Sequence, residues 1–249
     1  MDVKQEKQEH EYDFPYHYIP SFNDGFTQTF TWSWGKNYLS AIEFILKQIR
    51  SESENISSLI DVGCGDGRLT KELTLEFPSK NIVGIDYSEK AINLARALNP
   101  NIVFYNDDIN NDFSQQTFDA LTLVEVFEHI PLDQCDGFVK ALAKNLSNNG
   151  LVFLTVPHKN KSMPKKHFQH FDFDSIKSYF DDDFVIEDVE FFERQTGWSK
   201  IINVLSANEL YILNNRTLNN LIYSLYKNKW FFTDEKHCGR IYLKLRKRQ

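Results

Sequence analysis

Two short stretches of the chain carry the residue types that acid–base chemistry and metal binding use. "VEVFEHI" contains Glu125, Glu128 and His129, and "KKHFQHFDFD" contains His167 and His170. An imidazole titrates near neutral pH, so His129 or His170 could act as a general base while the glutamates orient it. Two carboxylates and two imidazoles also suit a divalent cation such as Mn²⁺, Mg²⁺ or Zn²⁺. The candidate ligands are then Glu125, Glu128, His129 and His170, with His167 as an alternative to His170.

A glycine-rich turn lies upstream, in "SSLIDVGCGDGRLTKEL" at residues 57–73. Glycines there permit positive φ and let a ligand approach the backbone closely. The spacing is GxGxG, one residue shorter than the dinucleotide fingerprint GxGxxG, and the GK[ST] of a P-loop is absent. Asp61 and Asp66 flank the glycines, where they would repel a pyrophosphate. The turn therefore favours a cationic ligand over a nucleoside triphosphate or a dinucleotide.

Polar residues also end the next two predicted strands. A carboxylate in the place of Asp86 can accept hydrogen bonds from both hydroxyls of a ribose. The following strand ends in "NDDI", where Asp108 can accept from an adenine amino group and Ile109 can pack on the ring. Together with the glycine turn, these residues describe a nucleoside with a positively charged arm that lacks phosphate.

Strands and helices alternate along the chain. Strands are predicted at 56–62, 81–86, 101–105, 118–127, 151–156, 184–192 and 239–247. Helices are predicted at 39–50, 68–77, 88–98, 132–146 and 173–180, with Ser88 as an N-cap and Gly150 as the stop after 132–146. This alternation is typical of an α/β fold with a doubly wound, mostly parallel sheet that has helices on both faces. Such sheets bind ligands at the carboxyl ends of their strands.

The remaining segments are assigned by their composition. Residues 1–50 are expected to form a polar tail, an aromatic lid segment and a helix, and residues 51–249 a single domain. Within that domain, 193–238 is strongly apolar and carries helical spacing at 201–213 and 218–226. We expect a helical cap that completes the substrate pocket, while a dimer face and a membrane-facing helix pair are alternatives.

Composition limits the class of protein. The 249 residues carry a net charge of −7, with 41% hydrophobic and 25% charged residues. The acidic balance argues against a general nucleic-acid binder held by bulk electrostatics. The three cysteines form no CxxC pair, which favours a reducing compartment. The polar N-terminus and the lack of an apolar run of about 18 residues lead us to expect a cytoplasmic protein without a transmembrane segment.

Four motifs in this order resemble those of class I S-adenosylmethionine-dependent methyltransferases, over about residues 56–192. They are "LIDVGCGDGRLTKEL", "VGIDYSEKAINLAR", "NDDI" and "FDALTLVEVFEHI". The resemblance implies a seven-stranded Rossmann-like sheet with a reversed last strand. It also implies that the glycine turn passes the methionine part of the cofactor, that Asp86 holds the ribose, and that Asp108 and Ile109 hold the adenine. The residues it assigns to the cofactor are Asp61, Gly63, Cys64, Gly65, Gly67, Asp86, Tyr87, Asp107, Asp108, Ile109 and Glu125.

The resemblance implies in-line transfer of a methyl group but leaves the acceptor open. Ubiquinone-pathway O-methyltransferases have a similar ExxEH after the fourth strand, which favours a small-molecule or glycan hydroxyl. The metal-binding interpretation resembles small-RNA 3′-terminal 2′-O-methyltransferases, and lysines at 159, 161, 165 and 166 could contact phosphates. The acidic net charge favours the small molecule or glycan. A cofactor-binding partner subunit without catalysis is a third hypothesis.

Overall fold

The computed structural model describes residues 20–21, 27–28, 32–111, 113, 116–165, 167–197, 201, 204, 211 and 215–249. The strands are β1 (Pro20–Ser21), β2 (Thr27–Gln28), β3 (Ser58–Val62), β4 (Asn81–Asp86), β5 (Val103–Asn106), β6 (Phe118–Val124), β7 (Leu146–Pro157), β8 (Phe184–Phe192) and β9 (Arg240–Lys247). The helices with bounds in these ranges are α1 (Trp32–Ser51), α2 (Arg68–Glu76), α3 (Glu89–Leu98), α4 (Cys135–Asn145), α5 (Phe173–Phe180) and α6 (Arg216–Lys229).

Seven of these strands form one sheet in the order β5-β4-β3-β6-β7-β9-β8. Strands β3 to β7 pair in parallel, and β9 runs antiparallel to both of its neighbours, β7 and β8. The predicted seven-stranded, mostly parallel sheet with a reversed last strand is therefore confirmed. Strands β1 and β2 form a separate antiparallel pair.

Helices cover both faces of the sheet, as the alternation predicted. Successive residues of a strand point to opposite faces, so neighbouring positions enter different cores. Ile60 of β3 is buried in one cluster with Leu142 of α4. The adjacent Leu59 is buried in the opposite cluster with Ile45 of α1 and Leu73 of α2. The sheet is thus enclosed on both sides, and its ligand-binding edge is the carboxyl end of the parallel strands.

Some predicted ends of strands and helices are wrong, because local sequence patterns do not determine them. The strand predicted at 118–127 ends at Val124, because the next residue takes a left-handed backbone conformation. The helix predicted at 132–146 starts with a 3₁₀ turn, Leu132–Gln134, and α4 ends at Asn145. Gly150 is no helix stop, because β7 begins directly at Leu146, which pairs with Phe118 across an irregular register.

Other local predictions are met. Ser88 caps α3 and accepts a hydrogen bond from the amide of Ala91. Strand β8 has the predicted bounds. Among the described residues, no helix has both the length and the apolar composition that crossing a membrane requires.

The two flanking segments are described only in part. The aromatic lid segment lies largely outside the described residues, as does the helix predicted at 201–213. Within 193–238, helix α6 contributes the buried Tyr226 to the same core cluster as Phe231 and α1. Both the lid and the substrate-binding cap stay predictions.

Asp61 connects three elements beneath the glycine turn. The residue is 2% exposed, and its two oxygens accept hydrogen bonds of 2.7 Å from the hydroxyls of Thr70 on α2 and Thr122 on β6. Burial raises the pKa of Asp61 to about 6, although the two threonine hydrogen bonds act in the opposite direction. The carboxyl group therefore fixes the end of β3 against α2 and β6. Its ionisation lowers the stability of the fold, because the charged form is buried.

We predict that Asp61→Asn changes how stability depends on pH. Between the pKa of an unfolded aspartate, about 3.9, and the folded value near 6, the native state binds more protons, so stability falls as pH rises through this window. A pKa that differs by about 2 between the folded and unfolded chain corresponds to about 3 kcal/mol. The free energy of unfolding of the parent, relative to the variant, should therefore decrease by up to about 3 kcal/mol from pH 4 to pH 7.

Urea titrations at a series of pH values would measure this difference. The exposed Asp182→Asn variant is the control for removing a carboxylate. If the free energies of unfolding of the parent and of Asp61→Asn differ by the same amount at every pH in this window, ionisation of Asp61 has no cost in stability and the prediction is wrong.

Candidate active site

The glycine turn is hydrogen-bonded to β4 and leads into the N-terminus of α2. The amides of Gly63 and Cys64 donate hydrogen bonds to the carbonyl of Ile85, at 2.8 and 3.1 Å. Gly63 has a φ of 68°, and a Cβ at this position would collide with the side chain of Val126. Gly67 has a φ of 79° and caps the N-terminus of α2. These glycines are required both by the backbone conformation and by close packing.

Asp86 ends β4 and faces the turn. One carboxylate oxygen accepts a hydrogen bond from the amide of Gly65 at 3.0 Å, and the other accepts from the amide of Ser88 at 2.9 Å. Each oxygen of an ionised carboxylate can accept more than one hydrogen bond. The side chain is therefore fixed in place while it keeps the capacity to accept from two ribose hydroxyls.

A cleft of about 360 Å³ lies at the carboxyl ends of β3, β4 and β6. Its charged lining is acidic, and the lining residues that the structure describes include no lysine or arginine. Such a cleft suits a cationic, phosphate-free ligand, which is what S-adenosylmethionine offers. The predicted site residues that line it are Gly63, Asp86, Tyr87, Asp107, Asp108, Ile109, Glu125 and His129.

Other predicted residues lie beside or beneath the turn instead of in the lining of this cleft. Asp61 is buried under it, and Gly65 donates to Asp86. Cys64 packs with Ile92 of α3 and Phe104 of β5, and burial raises the pKa of its thiol. Gly67 belongs to the helix cap. These four residues shape the turn.

The sequence did not point to several lining residues. Val126 and Ile130 flank the "FEH" turn, and Phe138 of α4 completes an apolar wall. Their apolar type looks like ordinary core filling in the sequence. The turn after β6 brings Val126 and Ile130 to the cleft, and α4 brings Phe138.

A cluster of one carboxylate and two imidazoles adjoins the cleft. Glu128 and His129 lie in the 3₁₀ turn Phe127–His129, and His167 comes from the loop after β7. One ligand atom from each of the three lies within 4.8 Å of the others. Glu128 is 1% exposed, and the rings of His129 and His167 meet edge to face with centroids 4.7 Å apart.

His170 orients His167. Its Nδ1 lies 3.2 Å from the carbonyl oxygen of Lys161, which only accepts, so Nδ1 carries a hydrogen. Burial lowers the pKa of His170, which favours the neutral ring, and its Nε2 then accepts from Nδ1–H of His167 at 2.9 Å. In this arrangement His167 carries a hydrogen on Nδ1.

Glu125, one of the predicted metal ligands, lies apart from this cluster and has other partners. Its carboxylate accepts a hydrogen bond from Arg240 at 2.9 Å and another from the hydroxyl of Thr155 at 3.2 Å. The geometry thus groups Glu128 and His129 with His167, the stated alternative to His170, as candidate ligands.

Comparison with known proteins identifies the family. A family model described as a methyltransferase domain matches residues 34–190. The malonyl-[acyl-carrier protein] O-methyltransferase of Bacillus cereus is 29% identical over 118 residues, 46% of this chain and 43% of the relative. The trans-aconitate 2-methyltransferase of Escherichia coli is 38% identical over 72 residues, 29% of each chain. The chain therefore spans less than half the length of these relatives.

Solved structures agree in fold. The N-methyltransferase NodS of Bradyrhizobium japonicum, in complex with S-adenosyl-L-homocysteine, superposes with a TM-score of 0.59 and 13% identity, covering 86% of this chain and 88% of that one. The family match extends over more than half of the chain, and the seven-stranded topology accompanies it. The chain therefore belongs to the class I S-adenosylmethionine-dependent methyltransferase family.

Proposed function

We propose that the enzyme transfers the methyl group of S-adenosylmethionine to a hydroxyl oxygen of a small molecule or glycan. The observation that carries this proposal is the position of His129, which lines the cofactor cleft and contacts a second imidazole behind it. A hydroxyl acceptor must lose its proton during transfer, and an imidazole at that position can take it. A carboxylate acceptor is already ionised near neutral pH and needs no such base.

The cofactor supplies an electrophilic methyl group on a positively charged sulfur when it is bound. The chain's part is then to bind, orient and remove a proton. In this proposal Asp86 holds the ribose, Asp108 and Ile109 hold the adenine, and the acidic lining balances the positive charge. His129 accepts the hydroxyl proton, and most of the rate enhancement comes from alignment in a cleft with apolar walls.

The names of the relatives agree with an oxygen acceptor only in a general way. One is an O-methyltransferase of malonyl-[acyl-carrier protein], and the other acts on trans-aconitate. Their matches cover 46% and 29% of this chain, so they carry no acceptor over to it. The acceptor class, a glycan or another small molecule, is therefore a proposal. That residues 193–238 form a cap over the acceptor pocket is a proposal as well.

Asp86→Ala should weaken binding of S-adenosylhomocysteine by about 1–3 kcal/mol, or about 5- to 150-fold, because hydrogen bonds to a charged group are lost. Calorimetric titration would measure it. Asp182→Ala is the control, since it removes an exposed carboxylate that belongs neither to the turn nor to the cleft lining. Equal affinity in Asp86→Ala and the parent would show that the ribose assignment is wrong.

His129→Ala should lower the rate of methyl transfer by about 10²- to 10⁴-fold, the usual contribution of a general base, and leave S-adenosylhomocysteine affinity within about twofold. The assay would follow label from S-adenosylmethionine into a panel of sugars and hydroxylated metabolites. His237→Ala, at an exposed histidine paired with Asp234, is the control. Full activity in His129→Ala would remove this residue from the mechanism.

A divalent metal at Glu128, His129 and His167 is the second candidate, favoured by the convergence of their ligand atoms within 4.8 Å. One carboxylate and two imidazoles suit Mn²⁺, Zn²⁺ or Fe²⁺ better than Mg²⁺. A cation there would polarise an acceptor hydroxyl and lower its pKa. The acceptor would then be a vicinal diol, such as a sugar or the terminal ribose of an RNA 3′ end.

Titration of chelator-treated protein with Mn²⁺, Mg²⁺ and Zn²⁺ would test this candidate. If the metal binds, His167→Ala should abolish one-to-one binding, whereas Glu125→Gln should retain it, because Glu125 is bonded to Arg240. Loss in Glu125→Gln with retention in His167→Ala would contradict the ligand set. If the parent binds none of these metals, His129 remains a general base that acts without a metal. The hypothesis of an RNA 3′ end held by a metal is then wrong.

A further inference from the structure

Two glutamates on separate loops have left-handed backbones, and both approach the same arginine. Glu125 follows β6 with a φ of 56°, and Glu193 follows β8 with a φ of 66°. Nη2 of Arg240 donates to Glu125 at 2.9 Å, and its Nε lies 3.9 Å from Glu193. The remaining non-glycine residue with positive φ in the described ranges is Asn149, a type that adopts this conformation readily. A glutamate does so only where its surroundings stabilise it.

The two carboxylates near Arg240 are balanced by two positively charged side chains. Arg240 is 7% exposed, and a lone guanidinium there would be unstable. Burial lowers the pKa of Arg240, but the two carboxylates together raise it by more, so the guanidinium stays charged. Lys161 pairs with Glu193 at 3.2 Å, and Asn37 of α1 donates to Glu193 at 2.6 Å. We call Glu125, Arg240, Glu193 and Lys161 the Arg240 cluster.

One end of the Arg240 cluster reaches the cofactor cleft. Glu125 and the next residue, Val126, both line it. Val126 also packs so closely on Gly63 that a Cβ there would collide with it. A shift of Glu125 would therefore move Val126 against the glycine turn.

The other end of the Arg240 cluster, at Glu193, lies where the start of segment 193–238 pairs with a later part of it. The amide of Glu193 donates to the carbonyl of Phe231 at 2.7 Å, and that of Arg194 donates to the carbonyl of Trp230 at 3.1 Å. Arg240 itself is the first residue of β9 and is separated from this segment only by Gly239. The Arg240 cluster is thus shared by the cleft, helix α1 and the base of the segment.

We propose that Arg240 is a positioning residue that fixes Glu125 at the cofactor cleft and connects the cleft to the base of segment 193–238. The inference rests on the proposed function, because it takes the cleft to hold S-adenosylmethionine. Arg240 acts through Glu125 and Val126 and does not itself line the cleft among the residues described for it.

The test compares Arg240→Met with Lys244→Met by calorimetric titration of S-adenosylhomocysteine. Lys244 is a matched control, since it lies on the same strand and also pairs with two glutamates, Glu52 at 2.7 Å and Glu187 at 3.4 Å. Neither of these glutamates lines the cleft. We expect Arg240→Met to lose about tenfold or more in affinity and Lys244→Met to stay within about twofold of the parent.

Thermal unfolding of both variants separates a loss of stability from a loss of positioning. A merely structural Arg240 would lower stability without a larger effect on affinity than Lys244. If Arg240→Met loses no more affinity than Lys244→Met, the proposal is overturned.

The conservative pair Arg240→Lys and Lys244→Arg decides the question if Arg240→Met does not fold. A lysine keeps the charge but lacks the guanidinium fork that reaches both glutamates. We expect an affinity loss in Arg240→Lys that is smaller than in Arg240→Met and larger than in Lys244→Arg. Equal affinities in the conservative pair would overturn the proposal. A parent that does not bind S-adenosylhomocysteine would instead contradict the proposed function.

Discussion

The buried carboxyl group of Asp61 is the interaction from which the rest of the site is built. It accepts hydrogen bonds from a helix on one side and from the neighbouring strand on the other. The ends of the two strands and the start of the helix therefore have fixed positions relative to one another, and the glycine turn between them has a defined start. Because the turn is defined, the cleft beside it has a fixed floor. An ionised group at this depth carries a cost in stability, which the two hydroxyl groups only partly offset.

Much of the fold could be predicted from local sequence, because parallel strands buried on both faces and amphipathic helices have distinct patterns. The bounds of β8 and the capping role of Ser88 follow from such patterns. The end of β6 could not be predicted. It depends on the left-handed conformation of Glu125, and the partner that stabilises this conformation, Arg240, is 115 residues away.

The candidate site was predictable at the level of residue types and less so at the level of contacts. Asp86 and Asp108 end their strands, and strand ends meet at one edge of a parallel sheet. The histidines lie on a turn and a loop, where spacing does not fix direction. The two loop histidines, His167 and His170, are therefore equivalent candidates in the sequence. Only their hydrogen bonds, to each other and to the carbonyl of Lys161, distinguish the one that joins Glu128 and His129 from the one that orients it.

The position of β9 has a consequence for how the protein is made. This strand is the last of the sheet along the chain, yet it lies between β7 and β8. Until β9 has been synthesised, β7 and β8 each have an edge whose backbone groups lack a partner strand. Exposed strand edges of this kind promote association between chains. Pairing of residues 240–247 satisfies the backbone groups that β7 and β8 turn towards β9, and the same strand brings Arg240 to Glu125 only at that moment.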